Sequence, residues 1–386
     1  MYPTISDLLL DLFGINIPLP IQSFGFMLAI SFLLAAYTLQ RELKRKEQLG
    51  LIKTFTLKII VGKPISFIDL FYSFITGFLV GFKLFYLVTN YSEFVNDTQG
   101  VLLSTKGNFL GGIAFGALMA FLRYREVERE KLPEIKTVEQ VMHPHQLVGN
   151  LTLVAAISGI IGAKIFHNLE NLDELSRDPI GALLSFSGLT MYGGLILGTF
   201  SVMWYGRKHG IKPLVLADAT APGLMLAYGT GRLGCQISGD GDWGIINANL
   251  KPDWLSWLPD WAWAYNYPNN VINAGIPIPG CEGTHCMMLP DAVYPTPLYE
   301  AFVCIVLFFV LWSVRKYFDT PGKLFSLYLL LNGFERFLIE LVRVNNKIHF
   351  LGITATQAEI IAVVLMALGA TGLLLFKKSK IQNQPT

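Results

Sequence analysis

Three arginines sit in patterns suited to holding an anion. Arg232 lies in YGTGRLGCQISGDGDWG (228–244), among Gly229, Gly231 and Gly234, with Asp240 and Asp242 following between Gly239, Gly241 and Gly244. Glycine permits tight turns and close approach of a ligand, and a guanidinium offers a planar fork of donors matched to phosphate. A Gly-rich helix end with a snorkelling arginine is the plainer account of the same segment. Arg336, Glu340 and Arg343, in GFERFLIELVRVN (333–345), are spaced i, i+4 and i+7 and so share one helix face. Glu340 neutralises one arginine and leaves positive charge over, unless the three form only a structural ion-pair ladder. In YPTPLYEA (294–301) two prolines hold an extended approach to a helix whose first turns carry Tyr299 and Glu300. SGLTMYGGLILG (187–198) places Tyr192 before a glycine pair, a pattern that close helix packing explains equally well. The chemistry these elements suggest is recognition of a phosphate-like charge, with no metal or nucleotide called for.

The elements that must position these residues are membrane helices. The 386-residue chain is 52% hydrophobic and 15% charged, with a mean hydropathy of +0.47, against roughly 25% charged residues in soluble domains. Its apolar residues come in long blocks. About 20 such residues cross a bilayer, and in lipid only helices or closed barrels satisfy every backbone group. The blocks are too continuous for alternating barrel strands. The expected fold is therefore an all-α integral membrane protein with about nine transmembrane helices. They are placed at 18–40, 68–90, 108–124, 148–168, 182–205, 214–234, 296–314, 323–342 and 358–376. Lys and Arg cluster after the first span (Arg41 to Lys63), at Arg123–Lys131, Arg207–Lys212 and Arg315–Lys323, and in the tail. With nine spans all of these fall on one side, which puts the N-terminus outside and the C-terminus in the cytoplasm. The start of the chain carries Asp7 and Asp11 and no positive n-region, unlike a cleaved signal peptide. A net charge of +2 without a basic patch argues against nucleic acid as a partner, and four cysteines without a CxxC pair argue against a zinc or redox motif.

Residues 1–386 read as one polytopic membrane domain. The segment 235–295 is expected outside, and its Trp243, Trp254, Trp257, Trp261 and Trp263 suit a headgroup belt or a lipid-docking platform. Cys281 and Cys286 lie there, where a disulfide is permitted but not required. The helical hairpin at 68–124 resembles 148–205, with Lys83 and Lys164 in register. Both copies run the same way, unlike the inverted repeats common in transporters.

Together the four elements resemble those of the bacterial prolipoprotein diacylglyceryl transferase family. MYGG (191–194), GRLGCQISGDGDWG (231–244), YPTPLYE (294–300) and RFLIELVR (336–343) follow the order of that family's HGG, GRxGNFxNGE, HPTQLYE and RFxxExxR elements. Tyr192 stands in place of the first element's His, Cys235 and Ser238 in place of two Asn, Asp240 in place of Glu, and Tyr294 in place of the third element's His; one extra residue precedes Trp243. Phe24 replaces the aromatic of the family's first-span YG pair. The family has seven spans, so the 68–124 hairpin is an addition.

The resemblance implies transfer of the diacylglyceryl group of phosphatidylglycerol to the lipobox cysteine of a prolipoprotein, without a cofactor. The product is a thioether and the leaving group glycerol phosphate. The implied partners are phosphatidylglycerol, the signal-peptide and lipobox region of the prolipoprotein, and membrane lipids. The implied place is the outer face of the bacterial cytoplasmic membrane. Arg232, Arg336, Asp240, Glu340 and Tyr192 fall at the implied catalytic positions. Arg232, Gly234, Gly244, Tyr299, Glu300 and Arg343 fall at the substrate-binding ones. The base for the thiol stays open, since an ordinary tyrosine pKa near 10 makes Tyr192 a poor one. A catalytically inactive paralogue that binds anionic phospholipid is the alternative, with a small-solute transporter behind it.

Overall fold

The computed structural model describes residues 1–376 apart from 16, 18, 20, 97, 185–189, 345, 346, 351 and 352. The predicted SGLTMYGGLILG element and the basic tail therefore lie partly and wholly outside the described residues. Among those described, the chain is mostly helical. Five helices are long and apolar enough to cross a membrane: Ser23–Gln48, Phe67–Thr89, Pro144–Glu170, Thr296–Tyr317 and Gln357–Leu375. The principal helices are α1 (Ile5–Phe13), α2 (Ser23–Gln48), α3 (Phe67–Thr89), α4 (Phe109–Glu130), α5 (Val148–Glu170), α6 (Met191–Lys208), α7 (Pro213–Ser238), α8 (Thr296–Val314), α9 (Lys323–Glu340) and α10 (Gln357–Leu375). The chain divides into two compact units, one of residues 1–16, 21–53 and 143–386, the other of 17–20 and 54–142.

The smaller unit holds α3 and α4, joined through two short helices, Tyr91–Asn96 and Thr98–Leu103. Glycines let the two long helices touch: a Cβ on Gly81 would lie 2.6 Å from Gly111 O. Lys83 is held by carbonyls, its Nζ donating to Val101 O and Lys106 O at 2.9 Å each. Two strands of this unit depart from the all-α expectation. β1 (Phe55–Val61) pairs antiparallel with β2 (Lys136–Met142), in register from Phe55 opposite Met142 to Val61 opposite Lys136. β-Branched residues on both, among them Thr56, Ile60, Thr137 and Val138, favour the extended chain.

In the larger unit α5 and α6 are likewise joined by two short helices, Leu172–Arg177 and Pro179–Leu184, and a Cβ on Gly162 would lie 2.3 Å from Gly193 O. α6 begins at Met191, later than the predicted 182, with Thr190 at its N-cap position. α7 is the central helix. It packs against α2, α8 and α9 around Met225, Cys304, Phe308, Leu311 and Leu324. Asp218 near its start accepts from the backbone N–H of Gly322 at 2.8 Å and of Phe325 at 2.9 Å. One buried carboxylate thus satisfies N–H groups that the first turn of α9 leaves without helical partners. Beyond α7, Cys281 and Cys286 form a disulfide, beside the short antiparallel pair β3 (Ile276–Pro277) and β4 (Met287–Met288). Tyr267 is fully buried there and donates to Gln236 Oε1 at 2.7 Å, which ties this segment to the last turn of α7.

Candidate active site

α7 stops where Gly239 takes a left-handed φ of 65°, a conformation glycine adopts without penalty. The chain then turns through Asp240–Gly241–Asp242 and docks on the start of α8, where Thr296 Oγ1 donates to Asp242 O at 2.8 Å. Gly244 donates its N–H to Tyr294 O at 2.9 Å and lies opposite Arg343 in an isolated antiparallel bridge. A Cβ on Gly244 would sit 2.6 Å from Val342 O, so no larger residue fits without displacement. Gly234, facing α2, is less tightly confined: a Cβ there would lie 3.0 Å from Met27 Cβ and 3.4 Å from Phe24 Cα.

Three arginines meet on this frame. Arg232 Nε approaches Glu300 Oε2 at 2.7 Å while its Nη1 contacts Asp242. Arg343 bridges the same two carboxylates, with Nη2 at 2.6 Å from Asp242 Oδ1 and Nη1 at 3.1 Å from Glu300 Oε1. Arg336 Nη1 stands 3.6 Å from Glu300 Oε2, and its Nη2 stands 3.3 Å from Glu340 Oε2. Glu300 is fully buried and also accepts from Tyr228 Oη at 2.6 Å, so it is the common partner of all three guanidiniums. Charges taken out of water are tolerated only when paired and hydrogen-bonded in this way.

The pairing leaves donors over. Arg336 Nη1 and Arg343 Nε are buried and have no hydrogen-bond acceptor among the described residues. A bound phosphate oxygen is the kind of acceptor that would satisfy them. Next to Arg336, Glu335 is buried with neither carboxylate oxygen hydrogen-bonded among the described residues. It lines a cavity of about 130 Å³ together with Tyr299, Val303, Leu338 and Ile339.

Of the positions read from the sequence, Arg232, Glu300, Arg336, Glu340 and Arg343 are brought together. Gly234 and Gly244 set the spacing of the backbone around them. Tyr299 points its hydroxyl elsewhere, donating to Ala262 O at 3.0 Å. Tyr192 is half-buried at the start of α6, with no hydrogen bond to the arginine set among the described residues. Asp240 does not pair with an arginine among the described residues; the acid that does is Asp242. Burial, with the like charge of Asp242 adding to it, holds the Asp240 carboxyl above its ordinary pKa. At Asp242 burial acts in the same direction, but the Arg232 and Arg343 guanidiniums outweigh it and hold the pKa below its ordinary value. Sequence reasoning named Asp242 beside Asp240 without giving it a part in the site, and passed over Tyr228 and Glu335. Tyr228 stands one helical turn before Arg232, a spacing that was available to notice.

A buried arginine–carboxylate cluster inside a bundle of apolar helices defines a helical membrane protein with a charged site. Comparison with known proteins is specific about which one. Residues 113–375 match the family model described as prolipoprotein diacylglyceryl transferase, and the chain belongs to that family. A phosphatidylglycerol–prolipoprotein diacylglyceryl transferase of Corynebacterium diphtheriae is 31% identical over 229 residues, covering 58% of this chain and 76% of the relative. The protein so named from Chlorobaculum tepidum is 28% identical over 287 residues, 70% of this chain and 85% of its own length. A third, from Leptospira interrogans, is 26% identical over 284 residues, 60% of this chain and 80% of its own.

Proposed function

We propose that this enzyme transfers the diacylglyceryl group of phosphatidylglycerol to the lipobox cysteine of a prolipoprotein. The substrate thiolate attacks the glycerol carbon that bears the phosphate. A sulfur–carbon bond forms, the carbon–oxygen bond to phosphate breaks, and its electron pair leaves with glycerol phosphate. The thiol proton passes to a base. Negative charge grows on the departing phosphate, and guanidiniums held in place beforehand stabilise it without reorganising. Arg232, Arg336 and Arg343 supply that charge. Asp242, Glu300 and Glu340 hold them in position and keep the resting site close to neutral. Asp240 and Tyr192, outside the ion-pair set, are assigned hydrogen bonds to the glycerol headgroup and to the incoming peptide. Tyr299 lines the lipid side.

The observation that carries this reading is the pair of buried guanidinium nitrogens beside Glu300, Arg336 Nη1 and Arg343 Nε, which have no hydrogen-bond acceptor among the described residues. It sits with nine spans, an external N-terminus, a cytoplasmic C-terminus and a site toward the outer face of the inner membrane. The 235–295 segment then lies beside the outer leaflet, where lipid and lipobox meet. The 68–124 hairpin is a duplicate of 148–205 added to the family's seven spans.

The test is mass spectrometry of a synthetic lipobox peptide incubated with phosphatidylglycerol vesicles containing the protein. A gain of one diacylglyceryl mass with the intact protein, absent with Arg232→Ala, is expected. An unmodified peptide across several lipobox sequences, with the protein folded, would leave a phospholipid-binding paralogue.

A further inference from the structure

Away from the arginines, a second cluster has the composition of a metal centre and no part in the transfer. Glu47 lies in the last turn of α2, and His143 and His145 flank Pro144 where a 3-10 turn (Pro144–Leu147) leads into α5. Their ligand atoms all lie within 4.8 Å of one another. His143 Nδ1 is 2.6 Å from Glu47 Oε1, and His145 Nδ1 is 3.7 Å from Glu47 Oε2, so each imidazole faces its own carboxylate oxygen. Among the described residues one other such group exists, Cys235 with Asp240 and Asp242, but Arg232 already donates to Cys235 and Asp242.

An ordinary hydrogen bond accounts for the His143 contact. It does not account for His145, whose Nδ1 is buried without a hydrogen-bond partner among the described residues. Leaving a buried polar nitrogen unpaired is unfavourable, and a coordinated cation would remove that cost. The turn holds both rings in place: His143 N donates to Gln146 Oε1 at 2.7 Å, Gln146 N donates to His143 O at 3.0 Å, and the rings stack with centroids 5.4 Å apart.

We propose that Glu47, His143 and His145 bind a divalent transition-metal ion. Two imidazoles and one carboxylate suit zinc and its neighbours rather than magnesium or calcium, which prefer all-oxygen sets. Zinc binds such donors at about 2.0–2.2 Å, so tetrahedral ligands stand about 3.4 Å apart, and side-chain rotations of about 1 Å close the set. A water takes the remaining position.

The ion's role is structural. Glu47 follows Phe24 by 23 residues on α2, about 35 Å of helix, and Phe24, with Met27, lies against Gly234 near Arg232. The larger unit breaks off at Lys53 and resumes at His143. An ion held by Glu47 and the two histidines clips together the points where the chain leaves and rejoins that unit, closing a long loop.

The test uses the full chain, purified in detergent with a histidine-free affinity tag and stripped with EDTA. Added Co²⁺ should give a ligand-field absorption band that Zn²⁺ displaces, and elemental analysis should find about one zinc per chain. Zn²⁺ should raise the unfolding temperature by mass action. His143→Ala, His145→Ala and Glu47→Gln should each weaken zinc binding at least about tenfold, while His209→Ala leaves it unchanged. Diacylglyceryl transfer to the lipobox peptide should persist in the Glu47 and histidine variants, which shows they are folded. Zinc uptake no greater than that of a His143→Ala/His145→Ala double variant, or an unfolding temperature indifferent to zinc, overturns the proposal.

Discussion

Arg343 donates to Asp242 Oδ1 at 2.6 Å across 101 residues of sequence, and so ties the end of α9 to the loop that follows α7. The contact rests on backbone as well as charge, because Ile245 N donates to Val342 O at 2.9 Å beside it. Residues that act as one unit lose their function together. In a double-mutant cycle of Asp242→Ala and Arg343→Ala, read in kcat/KM for a lipobox peptide, the double variant should be little worse than the worse single one. The coupling should be about 1–3 kcal/mol. Additive losses would show that the two side chains work independently.

Glu300 has more depending on it than any other acid of the site, since all three guanidiniums face it. Glu300→Gln keeps its shape and removes its charge, leaving the arginines mutually repelling in a buried setting. Removing one partner of a buried pair costs about 3–5 kcal/mol, so transfer should fall at least about a hundredfold, with a lower unfolding temperature. A Glu300→Gln enzyme of wild-type rate would remove Glu300 from the site's organisation.

Asp240 and Asp242 should respond to pH with opposite sign. The folded pKa of Asp242 is depressed, so its stabilising contribution is complete above the unfolded value of about 3.9 and disappears as pH falls through the folded one. The destabilisation caused by Asp242→Asn should therefore hold from neutral pH to about pH 4 and shrink below it. The folded pKa of Asp240 is raised, so the protonated form favours folding and that advantage is lost as pH rises through the folded value. Asp240→Asn should gain on the wild type with rising pH. Thermal unfolding of both variants between pH 3 and 8, roughly the range spanned by these groups, checks the signs; parallel curves would contradict them.

Much of this site was legible because its arginines sit in local patterns that survive without the fold. Arg336 and Glu340 share a face of α9 as their spacing predicts, and the prolines before Glu300 announce where α8 starts. Arg343, expected on that same face, lies past the end of the helix at Glu340 and joins the cluster from the bridge opposite Gly244. The part Asp242 plays was missed for a physical reason. Sequence offered two aspartates two residues apart, and only the left-handed turn at Gly239 and the anchoring of the Asp242 carbonyl by Thr296 decide which one meets the arginines. The β1–β2 pair escaped because a seven-residue strand is too short to register in a hydropathy reading sized for membrane helices of about 20 residues. Glu47, His143 and His145 lie far apart in sequence, and a His–Pro–His triplet is no metal motif by itself; their meeting belongs to the fold.

Gly244 sets how closely the Asp242 loop approaches Val342 and Arg343. In Gly244→Ala the added methyl would lie 2.6 Å from Val342 O, 2.8 Å from Thr296 Cγ2 and 3.0 Å from Tyr294 Cβ. Two of these neighbours are side chains, and the nearest is backbone, which cannot rotate away. The loop must lift, which lengthens the Ile245–Val342 hydrogen bond and carries Asp242 off Arg343. Overpacking of this kind costs about 1–3 kcal/mol, and kcat/KM should fall at least about tenfold with it. Gly149→Ala is the control, because a Cβ at Gly149 meets nothing within 4 Å. If Gly244→Ala matches Gly149→Ala in both rate and unfolding temperature, the loop has room to spare and the arginines do not depend on its position.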